Sequence, residues 1–100
     1  MEEKRRLIWD KHALAKLKES LKWISKTSLQ QAENVEEAIL ATIDIIRSHP
    51  ERYPSDKYKR KNSGGKRAFE THGYRISYDY TEREVRILRV RHVRQSHKVY

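Results

Sequence analysis

Residues 66–100, KRAFETHGYRISYDYTEREVRILRVRHVRQSHKVY, constrain the fold more than any other stretch. From Tyr74 the chain alternates. Tyr74, Ile76, Tyr78 and Tyr80 point one way, and Arg75, Ser77 and Asp79 the other. Period two is the signature of a strand with one covered face. Thr81-Glu82-Arg83-Glu84 reads as a polar four-residue connection, and Val85 to Val93 as a second β-rich run. Together they predict a β-hairpin. Lys66 to Thr71 is a third strand, separated from the next by His72-Gly73. The expected product is a three-stranded meander with an apolar face and an arginine-bearing face. A sheet must cover its apolar face, and the first half of the chain has to supply the cover.

That half reads as one short strand and two helices. Arg6-Leu7-Ile8-Trp9 is long enough for a brief strand. Asp10 can cap the helix that follows, because its carboxylate can accept from open first-turn N–H groups. Leu14, Leu17, Leu21 and Ile24 recur at helical spacing, which predicts a helix from Lys11 to Ser25. Ser28 and Gln31 have capping-box spacing. A second helix then carries the stripe Ala32, Val35, Ile39, Ile43 and Ile46 as far as Ser48. His49-Pro50 stops it, since proline disfavours a helical conformation in the residue before it. The short connection makes the helices an antiparallel hairpin. Residues 50–66 form the one long loop candidate, with room for a helical turn or an irregular strand. The order is β-α-α-β-β-β in one α+β domain over residues 1–100. The helical hairpin packs on one face of a small, mainly antiparallel sheet.

Charge is unevenly spread. Residues 1–50 hold nine Lys/Arg against eight Asp/Glu, and residues 51–100 hold fourteen against six, so the sheet half carries +8 of the net +9. A basic face attracts phosphate or an acidic protein. The same excess also suits a solvated surface. The chain has no cysteine, which excludes disulfides and thiolate metal sites. No apolar run has the length of a membrane span, and MEEKRRLIW has no signal-peptide core, so a cytoplasmic protein is expected.

Among chemistries, a metal centre is disfavoured. His12, His49, His72, His92 and His97 include no pair at the i, i+4 spacing of a helical zinc site. Ser63-Gly64-Gly65 is not a phosphate-cradling loop, because the P-loop spacing is missing. No cofactor is expected. Metal-free RNA cleavage needs a base for the 2′-hydroxyl, cations around the phosphorane and an acid for the leaving oxygen. Lys66, Arg67 and Arg75 can supply cations, Glu70 or His72 the base, and His92, His97 or Tyr100 the acid. An ordinary basic sheet face explains the same residues. In a binding-only reading Arg67, Arg89, Arg91 and His92 hold a partner or nucleic acid by forked hydrogen bonds and charge. The tyrosines share a face with Ile76 and read as core.

The β-α-α-β-β-β order, His49-Pro50, Gly73-Tyr74-Arg75-Ile76-Ser77-Tyr78 and Ile87-Leu88-Arg89-Val90-Arg91-His92 resemble the RelE/ParE family, the toxin halves of bacterial type II toxin–antitoxin pairs of the plasmid-stabilisation type. The resemblance covers nearly the whole chain. It implies a cognate antitoxin with an acidic or amphipathic segment, for which Trp23, Leu40 and Ile45 are candidate contacts. It is compatible with homo-oligomers. RelE-like members cut mRNA on the ribosome, whereas ParE-like members inhibit DNA gyrase. In the RelE-like pattern the resemblance carries catalytic roles onto Lys66, Arg75, Arg94 and Tyr100. The second lysine of that pattern falls on Ala68, a departure that weakens the nuclease set. The RVRHVR ending and the long helical hairpin are closer to the ParE-like branch. That branch makes gyrase the expected target, ahead of an mRNA endonuclease and of a non-toxic interaction module.

Overall fold

A computed structural model describes residues 4–58 and 65–93. The elements run β1 (Arg6–Trp9), α1 (Lys11–Ser25), α2 (Leu29–Ser48), a 3-10 turn (Pro50–Arg52), β2 (Arg67–Thr71), β3 (Tyr74–Tyr80) and β4 (Glu84–His92). The four strands form one sheet in the order β1-β4-β3-β2. β1 pairs with β4 in parallel, and the other pairings are antiparallel. The expected α+β fold and element order are therefore present, and β1 makes the sheet mixed.

Local chemistry explains the boundaries. Asp10 Oδ1 accepts from His12 N at 2.9 Å and Ala13 N at 3.2 Å, satisfying first-turn donors of α1. Ser28 Oγ accepts from Gln31 N at 3.0 Å to open α2. Ser28 N itself donates back to the Ile24 carbonyl at 3.0 Å, so the last turn of α1 takes the donor that a full capping box would use. The buried side of α1 is Ala13 and Leu17, with Leu21 and Ile24 partly buried against the core. Leu14, expected in that stripe, is only half-buried, because the helix is rotated toward Ala13. The α2 stripe is buried throughout as its spacing predicts.

Two turns organise the sheet. His72 and Gly73 have φ of 49° and 82°, the positive pair that a two-residue hairpin of matching twist requires. The β3–β4 connection is three residues rather than four, because Glu84 already belongs to β4. Thr81 Oγ1 accepts from both Arg83 N and Glu84 N at 3.2 Å, and Thr81 N donates to the Glu84 carbonyl at 2.8 Å.

A bulge lies in β4. Ser77 pairs with Arg89 and Tyr78 with Ile87, which leaves Leu88 unpaired. This one extra residue resets the alternation. Val85 and Ile87 face the helices before it, and Val90 and His92 after it, as the partners of Ile76 and Tyr74. Arg89 and Arg91 consequently lie on the face of Arg75 and Ser77. Without the bulge the parity of β4 would turn both toward the helices.

The core lies between the helical hairpin and the sheet. Ile39, Ile46, Ile76, Tyr78, Val85 and Ile87 are completely buried there. Among the described residues no helix is long and apolar enough to cross a membrane.

Candidate functional site

The face of β3 that bears Arg75, Ser77 and Asp79 is not open, as its polar residues suggest. All three are buried. The chain after the 3-10 turn runs along the β2 edge. Asp56 N donates to the Lys66 carbonyl at 2.8 Å, Ala68 N to the Pro54 carbonyl at 3.3 Å, and Ser55 bridges Arg67. This delivers the Asp56 carboxylate beneath the sheet. Its Oδ1 accepts from Arg75 Nη2 at 2.9 Å and its Oδ2 from Ser77 Oγ at 2.8 Å. Glu70 accepts from Arg75 Nη1 at 2.7 Å, and the Tyr58 ring lies 4.8 Å from the Arg75 guanidinium carbon. Burial pulls the Arg75 pKa down, but the bonds to Asp56 and Glu70 outweigh it and hold the group above the ordinary arginine value.

Lys66 is likewise engaged. Its Nζ donates to Asp79 Oδ2 at 2.6 Å, and Arg86 Nε approaches Asp79 Oδ1 at 3.3 Å. Arg67 acts as a brace. Its Nη1 donates to the Tyr53 carbonyl at 2.5 Å and weakly to that of Glu51 at 3.4 Å, tying the 3-10 turn to β2. The structure thus distributes Lys66, Arg67 and Arg75 over three internal networks. Among the described residues they do not converge on one common position. Glu70 is bound to Arg75, and His72 occupies the β2–β3 turn with Nδ1 3.1 Å from Thr71 Oγ1. Arg94, His97 and Tyr100 lie outside the described residues.

Arg89 and Arg91 stand on β4 beside this network, opposite Ser77 and Arg75. Arg91 is buried, and its Nε and Nη1 find no hydrogen-bond partner among the described residues. Burial, and then the charges of Arg89 and Arg75, push its pKa below the ordinary arginine value. The arrangement concentrates cations on one sheet face. Among the described residues Arg67 Nε, Arg75 Nε and Asp79 Oδ1 also lack a hydrogen-bond partner, but Arg91 alone has two such buried atoms.

His92 belongs to the opposite, helix-facing side. Its ring stands edge-on to Tyr74 with centroids 5.1 Å apart. Tyr74, His92 and Trp23 line two adjoining depressions of about 300 and 350 Å³ between α1 and the end of the sheet. Trp23 is 71% exposed, and Leu40 and Ile45 are exposed as well. Leu29, also exposed, belongs with them and was hidden in sequence by its place at the start of α2. Asp56 and Tyr58 escaped sequence reasoning too. The available signal for Asp56 was a lone carboxylate in the basic run Asp56-Lys57-Tyr58-Lys59-Arg60-Lys61.

Among the described residues no cluster of three or more His, Asp or Glu could hold a metal ion. No curated protein matches the chain. A family model described as the ParE toxin of type II toxin–antitoxin system, parDE, matches residues 7–97. The match spans both helices, β1 from Leu7 onward and all of β2, β3 and β4, including the arginine-bearing face of β3 and β4. The chain belongs to the ParE toxin family of type II toxin–antitoxin systems.

Proposed function

We propose that this protein inhibits growth by poisoning DNA gyrase and is neutralised by a cognate antitoxin. Family membership supports the toxin role. The observation that favours gyrase over mRNA cleavage is the commitment of Arg75 and Lys66, two of the three candidate catalytic cations of the RelE-like pattern, the third being Arg94 outside the described residues. Arg75 is held between Asp56 and Glu70, and Lys66 is held on Asp79. A phosphorane needs such groups free to meet developing negative charge. Releasing Arg75 would break its buried pair with Asp56, which is unfavourable. The antitoxin covers the exposed apolar groups Trp23, Leu40 and Ile45, and its acidic residues answer the positive half of the chain.

Induced expression without antitoxin, with parallel readouts of translation and DNA-damage signalling, tests the reading. Filamentation and DNA damage with translation intact are expected. Rapid loss of protein synthesis with cut mRNA would instead assign the protein to the endonuclease branch. Unimpaired growth would reduce it to a non-toxic interaction module.

A further inference from the structure

We propose that Arg91, seated beside Arg75 on the outer sheet face, is a receptor for a carboxylate supplied by an acidic partner polypeptide. Arg91 is 6% exposed, and its Nε and Nη1 are buried without a hydrogen-bond partner among the described residues. It stands directly opposite Arg75, so two like charges face each other across the β3–β4 pair. The nearby Asp56 carboxylate offsets this only in part and accepts from neither Nε nor Nη1 of Arg91. Asp56 and Glu70 both bond Arg75, and Asp56 also takes Ser77. A buried guanidinium without a partner weakens the free protein, and an anion brought by another chain would complete it.

The surroundings favour a carboxylate over a nucleic-acid phosphate. A strand of nucleic acid brings a negative charge at every step, and Glu70 and Asp79 share this face of the sheet with Arg91. Glu70 has a half-exposed side chain and would meet successive phosphates at the rim. A peptide can present one planar carboxylate to one guanidinium and avoid that repulsion. The identity of the partner as the antitoxin rests on the proposed function, but the receptor itself does not.

The test uses the purified full chain and its Arg91→Met and Arg91→Lys variants, with poly-L-glutamate as probe and polyuridylate as the phosphate control. Arg91→Met should unfold at a higher temperature than the parent, because an apolar side chain of similar length removes the unpaired charge. Its affinity for poly-L-glutamate should fall about tenfold, the effect of losing one charge-assisted contact. Arg91→Lys keeps the charge but not the fork, and should lose part of that affinity. A lower unfolding temperature for Arg91→Met would overturn the proposal by showing an internal partner. Unchanged poly-L-glutamate binding in both variants would overturn it, as would an equal loss for polyuridylate, which marks a general cationic patch. Absence of growth inhibition by the parent would count against the toxin reading alone and leave these measurements interpretable.

Discussion

Asp56 has no solvent-exposed side-chain surface, yet it is charged, and its two oxygens bond Arg75 and Ser77. Removing it would leave the buried guanidinium with Glu70, half in water, as its remaining carboxylate partner among the described residues, and with the Tyr58 ring. Asp56→Ala should therefore cost about 3–5 kcal/mol in urea unfolding, as for other broken buried pairs. Tyr78 poses the same problem with a neutral group. Its hydroxyl donates to the Pro50 carbonyl at 2.5 Å in the centre of the core. Burial, above all, raises its pKa beyond the usual tyrosine value. A raised folded-state pKa makes this contribution full below the unfolded value of about 10 and lost as pH rises beyond it. Tyr78→Phe should cost about 1–3 kcal/mol at neutral pH. It should also flatten the alkaline loss of stability measured between pH 9 and 11, roughly the range around that unfolded value. The burial of Tyr78 was legible from alternation in the sequence. The Asp56–Arg75 pair was not, because it joins residues 19 apart through a loop with no periodic pattern.

At the scale of elements, the turns and the bulge set which residues share a face. Gly73 has φ of 82°, and a Cβ there would meet His92 Nε2 at an ordinary 3.5 Å. The strain of a substitution is thus in the backbone rather than in contact. Gly73→Ala should lower stability by about 1 kcal/mol, read from the urea midpoint at unchanged slope. His72, at φ 49°, is one of the few non-glycine types that tolerate the left-handed region. The hairpin was visible in sequence because Gly73 interrupts two β-rich runs. The β4 bulge was harder to see. The run Val85-Arg86-Ile87-Leu88-Arg89-Val90 has adjacent apolar residues at Ile87 and Leu88, the one trace of the parity change. That change, rather than composition, puts Arg89 and Arg91 beside Arg75. The helix caps at Asp10 and Ser28 followed directly from residue type and spacing.

Across the whole molecule, the helical hairpin covers one sheet face while the 54–58 segment reaches the other through Asp56 and Tyr58. Both faces of β3 are consequently buried, and most of its polar side chains serve internal pairs. This is why the basic sheet face, which by sequence suits a phosphate, an acidic protein or plain solvent, holds among the described residues cations engaged with Asp56, Glu70 and Asp79 beside Arg91, whose Nε and Nη1 lack partners. The exposed large apolar groups Trp23, Leu29, Leu40 and Ile45 lie instead on the two helices. Trp23→Glu should leave the unfolding temperature nearly unchanged, since the ring is 71% exposed. It should weaken antitoxin binding at least about tenfold by calorimetry if that ring is a central contact. Gyrase poisoning is tested most directly by a reconstituted DNA supercoiling assay with purified gyrase. Concentration-dependent loss of supercoiling with accumulation of cleaved DNA, reversed by cognate antitoxin, is expected. Undiminished supercoiling at saturating protein, alongside ribosome-dependent cleavage of mRNA by the same preparation, would contradict it.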